Sequence, residues 1–161
     1  FQELREARAL AYTAGARYSQ GSRLNAENIM LGSIGTQTDK TVDALGAFID
    51  LIDNMPESSE RFDTSVESLM NRYRTSKITF REVIGAVRSW ERLGISGDPR
   101  RERYQALQTA SLDDLLSFQQ EHVKDRPKLI SIVGDLSIID EEELGEFGTV
   151  KEIQIDDLFV D

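Results

Sequence analysis

The sequence predicts an α+β fold in which an antiparallel sheet has helices packed on one face. Three features of the pattern lead there. Apolar and polar residues alternate loosely through positions 10–36, a helical period takes over from 38 to 124, and short apolar runs return at 128–134 and 150–155. No linker, repeat or low-complexity stretch interrupts the 161 residues. They read as one domain or a large fragment of one.

Residues 1–9 read as the end of a helix, with Phe1, Leu4 and Arg8 on one side, Arg5 at its border, and Glu3 and Glu6 opposite. In residues 10–20 Leu10, Tyr12, Ala14, Ala16 and Tyr18 share one face of an extended strand. Gly21 and Ser22 open a turn that reaches Asn25, and residues 26–36 form a second strand, so 10–36 is a β-hairpin. Its many small side chains predict close approach by other elements.

The helical region comes next. Val42, Leu45, Phe48, Ile49 and Ile52 make the stripe of a first helix that Asn54, Met55 and Pro56 end. Ser58 and Ser59 start a second, with Phe62, Val66, Leu69, Met70 and Tyr73 facing inward. A capping box of Thr79 with Glu82 opens a third, which carries Phe80, Val83, Val87 and Trp90 inward and stops at Gly94. Asp98 and Pro99 cap a short fourth holding Tyr104 and Leu107. Ser111 caps a fifth with Leu112, Leu115 and Leu116, then Phe118 and Val123. The run at 128–134 lies between Pro127 and Gly134 and is too short for a helix, which predicts a buried strand. Asp140 with Glu143 opens one or two helical turns ending at Gly148, and 150–155 is the last predicted strand.

Composition removes several classes of function. The formal net charge is −10 and no basic stripe is visible, so nucleic acid is not an expected partner. With no cysteine no disulfide can form, and with one histidine, His122, the usual His- and Cys-rich zinc site cannot be assembled. No apolar run approaches the roughly 18 residues of a membrane span. No signal peptide opens the sequence; Phe1-Gln2-Glu3-Leu4 reads as a mid-sequence beginning, so upstream residues are expected.

Four local motifs have plain structural explanations. GSIG at 32–35 has the glycines of a phosphate-clasping turn, but it ends a strand, lacks a following Lys-Ser/Thr pair and reads as tight strand packing. GDPRRERY at 97–104 clusters three arginines, with Asp98 and Pro99 explained as a helix start and Arg100 and Arg103 facing solvent. Residues 140–143, DEEE, are acidic as a first helical turn should be, and calcium-loop spacing is absent. His122 sits late in a helix near the last carbonyls, without the neighbours of a catalytic triad. By chemistry alone, Arg5 and Tyr12 are an arginine lying along a helix border and a tyrosine half-buried on a strand.

The stretch LREARALAYTAGARY, residues 4–18, resembles a segment in the C-terminal halves of insulinase/pitrilysin-type zinc metallopeptidases. There a leucine-arginine-glutamate helix runs into a leucine-alanine-tyrosine strand. Ala9 stands where that family commonly has glycine. The order of the later segments is similar too: a second strand leading to TQTDK at 36–40, three amphipathic helices, LISIVGD at 129–135 and FGTVKEIQIDD at 147–157. The opening motif is the specific part.

This resemblance implies the latter part of a mitochondrial-processing-peptidase-like metallohydrolase domain, one of two halves that enclose a chamber. The other half carries an inverted zinc motif, H-x-x-E-H, which this chain lacks. Zinc is therefore implied in the parent enzyme and not in this chain, which would be inactive alone. Its partners would be the N-terminal zinc-bearing half and a peptide substrate. The family's C-terminal half contributes an arginine and a tyrosine that reach substrate at the zinc, and by position these are Arg5 and Tyr12. A tyrosine hydroxyl would donate to the oxyanion formed on the scissile carbonyl, and the arginine would hold substrate main-chain carbonyls. The same fold also allows a non-catalytic structural or interaction module. An acidic helical adaptor unrelated to peptidases would be favoured if the first 36 residues were helical. Strands missing before residue 1 would leave a sheet edge open and favour self-association. The compartment is undetermined, and export of bacterial relatives makes the periplasm a family-level expectation.

Overall fold

The computed structural model of the chain describes residues 10–154 and 157. It is a mixed α/β structure with one antiparallel pair of strands, β1 (Thr13–Ser19) and β2 (Ile29–Gly35). Among the described residues there are six α-helices: α1 (Thr41–Asp53), α2 (Ser59–Thr75), α3 (Val83–Arg92), α4 (Arg100–Thr109), α5 (Leu112–His122) and α6 (Glu141–Leu144). The chain divides into two compact units, one made of Phe1–Gly15, Ser33–Ile49 and Pro127–Asp161, the other of Ala16–Gly32 and Asp50–Arg126. The helix expected over residues 1–9 lies outside the described residues.

The hairpin is present, and its two strands end the reading of the first 36 residues as helical. Its register is fixed where the chain enters β1. The Tyr12 N–H donates to the Gly35 carbonyl at 2.8 Å, and the Thr36 hydroxyl donates to the Leu10 carbonyl at 2.6 Å. GSIG is strand packing, as expected: a Cβ on Gly35 would stand 2.8 Å from the Thr13 Oγ1. Five of the seven residues in each strand are exposed. Ile29, Met30 and Leu31 are successive and all exposed, so apolar side chains emerge from both faces of β2.

In the first unit Leu45 of α1 is buried against Ile139 and Leu144, with Val42, Ile49, Ile130 and Phe147 packed around them. Val42, Leu45 and Ile49 of the stripe read from the period are thus core residues, while Phe48 and Ile52 are only half-buried; Ala44 and Ala47 are buried beside them. Asp140 accepts the Glu142 and Glu143 N–H groups, which starts α6 as predicted, and the chain turns at Gly148.

The two C-terminal strands are not formed. Residues 128–134 and 150–154 carry no strand, and 155 lies outside the described residues. The run read as buried for its apolar character is buried only in part: Ile130 joins the core while Leu129 and Val133 are fully exposed. A strand is defined by its ladder, and among the described residues no strand edge pairs with this segment. The second face of the run, expected to be buried, consequently faces solvent.

The second unit is helical apart from the distal hairpin. Ser58 caps α2, and Ser111 with Asp114 forms a full capping box on α5. Thr79 and Glu82 also pair as predicted, the Thr79 N–H and hydroxyl donating to the Glu82 carboxylate at 2.9 and 2.8 Å. The regular helix begins only at Val83, so Phe80 lies ahead of it and is exposed; Val83 and Val87 are exposed as well, which corrects the inward assignment of all three and leaves only Trp90 of that stripe half-buried. Hydrogen bonds hold two of these carboxyls below their ordinary range: Glu82 chiefly through the Thr79 N–H, Asp114 chiefly through the Ser111 hydroxyl. Helix α3 stops at Gly94, whose φ of 72° suits glycine and whose missing side chain leaves room for Leu24.

One buried polar side chain joins α5 to the end of α1. The Gln119 amide nitrogen donates to the carbonyls of Ile52 and Asp53, both at 2.9 Å. These belong to the last turn of α1, where carbonyls have no partner inside the helix. The Asp53 carboxylate in turn accepts the Asp125 N–H at 3.2 Å.

Candidate functional site

Tyr12 sits one residue before β1. Its backbone is tied across to Gly35, and Ala11 before it is buried, yet its side chain is 62% exposed. The main chain at this position is thus held while the ring projects. The half-buried setting expected for Tyr12 on packing grounds is not what is found. Its hydroxyl meets no hydrogen-bond partner among the described residues. Arg5, the other residue singled out, lies outside the described residues.

His122 ends α5 and packs its ring on Phe118, with centroids 4.8 Å apart, while Phe118 meets Tyr18 edge-on at 5.1 Å. Its Nε2 lies 3.9 Å from the Glu121 carboxylate. No serine or threonine hydroxyl is bonded to it among the described residues, and the arrangement is aromatic packing. Among the described residues no group of three or more His, Cys, Asp or Glu side chains is placed to hold a metal.

A second site was missed by reading motifs one at a time. In the second unit, the C-terminal end of α2 and the start of α4 border a groove of about 650 Å³. Arg74, Lys77, Arg100 and Arg101 line it together with Tyr73 and Tyr104. The Arg74 guanidinium lies 5.6 Å from the Tyr104 ring centroid and donates through Nε to the Tyr104 hydroxyl at 2.9 Å. Arg100 faces solvent, as expected, and there folds back on Asp98. Its Nε lies 2.9 Å from both carboxylate oxygens, and its backbone N–H also donates to Asp98. The Arg100 guanidinium accordingly holds the Asp98 carboxyl below its usual range and is itself raised. Neither Lys77 nor Arg101 makes an ion pair among the described residues.

The available signal was charge segregation. Residues 71–104 hold nine Lys and Arg against four Asp and Glu, a net +5, within a chain whose total is −10. The three arginines of GDPRRERY belong to this larger excess, which an accounting of whole-chain charge conceals.

Compared with protein-family models and with curated proteins, the sequence has no match.

Proposed function

We propose that the chain is the zinc-free C-terminal part of an insulinase-type metalloendopeptidase, supplying substrate and transition-state contacts to a zinc site held by a separate N-terminal half. The observation that carries this reading is Tyr12: an anchored main chain, a projecting ring and a hydroxyl without a partner among the described residues. A hydroxyl that breaks no bond to another described residue can donate to a developing oxyanion, and the anchored backbone fixes where the ring starts from. The order of a strand pair followed by amphipathic helices supports the same reading. So do the exposed faces of β1 and β2, which the helices and further strands of a complete domain of this type would cover. Arg5, by its position in the motif, would hold the substrate main chain.

The chain by itself is expected to bind no stoichiometric zinc and to cleave no peptide. One histidine and no cysteine leave too few ligands for a catalytic zinc of the usual kind. Metal analysis of the purified chain and a cleavage assay with a mixed peptide library test this. One tightly bound zinc per chain together with activity would overturn the proposal.

The exposed apolar residues favour a second reading, a non-catalytic interaction module of the same fold. Ile29, Met30 and Leu31 on the hairpin, and Leu129 and Val133 after α5, offer apolar surface and unpaired backbone to another chain or another copy. In that case Tyr12 would contribute contact area and its hydroxyl would be dispensable.

A further inference from the structure

We infer that the groove between the end of α2 and the start of α4 is a binding site for an acidic peptide segment. It goes beyond the peptidase reading, since every residue concerned lies in the second unit and none belongs to the Tyr12 site.

Charge is the first reason. The groove gathers four cations in a protein with net charge −10, and the residues from 71 to 104 concentrate nearly half of all its Lys and Arg. Ordinary solubility would scatter these charges among acids. Instead the 25 acids outside this stretch face only ten bases. Collected in one concave place, cations raise the local concentration of an anionic partner and speed its capture.

Preorganisation is the second reason. Arg74 lies over the Tyr104 ring, 5.6 Å from its centroid, and donates through Nε to its hydroxyl, which restrains the guanidinium before any ligand arrives. Lys77 and Arg101 meet no acid among the described residues. Arg100 shows how a carboxylate is held here, because Asp98 already takes it through two guanidinium nitrogens.

The walls decide between carboxylate and phosphate. Phosphate sites often add converging backbone N–H groups to their cations. This groove places its cations along an open channel, and it adds Tyr73, Tyr104 and the apolar Ile78 between them. Such a surface suits a chain of alternating acidic and apolar side chains, with rings to pack on and a cation for each carboxylate.

The test is fluorescence anisotropy on the whole chain with a labelled octapeptide of alternating glutamate and leucine. The expected result is saturable binding that weakens as salt rises. The double variant Lys77→Glu, Arg101→Glu should lose at least about tenfold in affinity while keeping the wild-type melt and circular dichroism. Lys151→Glu, an exposed cation in the first unit, should bind as wild type does. The inference is overturned if the glutamine-for-glutamate peptide binds equally well, or if all three proteins bind alike. Tighter binding of a short oligonucleotide of equal charge, or of inorganic pyrophosphate, would also overturn it. Salt-sensitive self-association abolished by the same double variant would assign the groove to a second copy and overturn it as well.

Discussion

On the peptidase reading, Tyr12→Phe in the assembled enzyme is expected to lower turnover by roughly 30- to 900-fold while changing substrate affinity much less. The hydroxyl has little to gain from a neutral carbonyl and much from the oxyanion that replaces it. Loss of a comparable donor costs about 2–4 kcal/mol of transition-state stabilisation. Folding should be untouched, because the ring is largely exposed, its hydroxyl meets no partner among the described residues, and the anchoring bond runs through the Tyr12 backbone. Arg5→Ala should impair both substrate binding and turnover, since a group that holds the peptide main chain acts before and during reaction. Steady-state kinetics beside thermal melts separate these outcomes. Wild-type turnover in Tyr12→Phe would favour the interaction-module reading, and a melt that falls in step with activity would make the tyrosine structural.

The largest stability effect is expected at Gln119, which no catalytic reading involves. Gln119→Leu keeps the volume of a buried side chain but removes both donors from the Ile52 and Asp53 carbonyls. Two partly buried acceptors would be left without their partner at the end of α1, a loss of about 2 kcal/mol. For a chain of this size that corresponds to a fall in melting temperature of roughly 4–8 °C. The neighbouring Gln120 is exposed, and Gln120→Leu should melt within a degree or so of wild type. Equal melts for the two variants would show that the amide adds nothing to the junction of α5 with α1.

Much of the helical half was legible because its signals are local. Ser58, Thr79, Asp98, Ser111 and Asp140 each engage a nearby backbone or side-chain group at the start of a helix, and Gly94 stops α3, where short-range chemistry says they should. The hairpin was legible for the same reason, from its alternation and its turn residues. The runs at 128–134 and 150–155 were misread because a strand depends on a partner that sequence periodicity cannot supply. Leu129 and Val133 have the spacing of a strand face and, among the described residues, no ladder. Phe80 was misplaced by a difference of a few residues between a cap and the first regular turn.

Site residues divided along the same line. Tyr12 was singled out through a motif; the half-burial expected of it on packing grounds was wrong, because the Gly35 bond ties its backbone and leaves the side chain exposed. Gln119 was not foreseen, since nothing in QQEH distinguishes one glutamine from the next until α5 is placed against the end of α1. The groove was hidden by the net charge of the whole chain: its cations come from two helices and a connecting segment, and only folding brings Arg74 to Tyr104.

The most direct measurement is peptide hydrolysis by the zinc-bearing half with and without this chain, at equal zinc and substrate. The peptidase account predicts little cleavage from either alone and a large increase on mixing, lost when the added chain carries Tyr12→Phe. Full activity from the zinc-bearing half alone, unchanged by adding this chain, would contradict it.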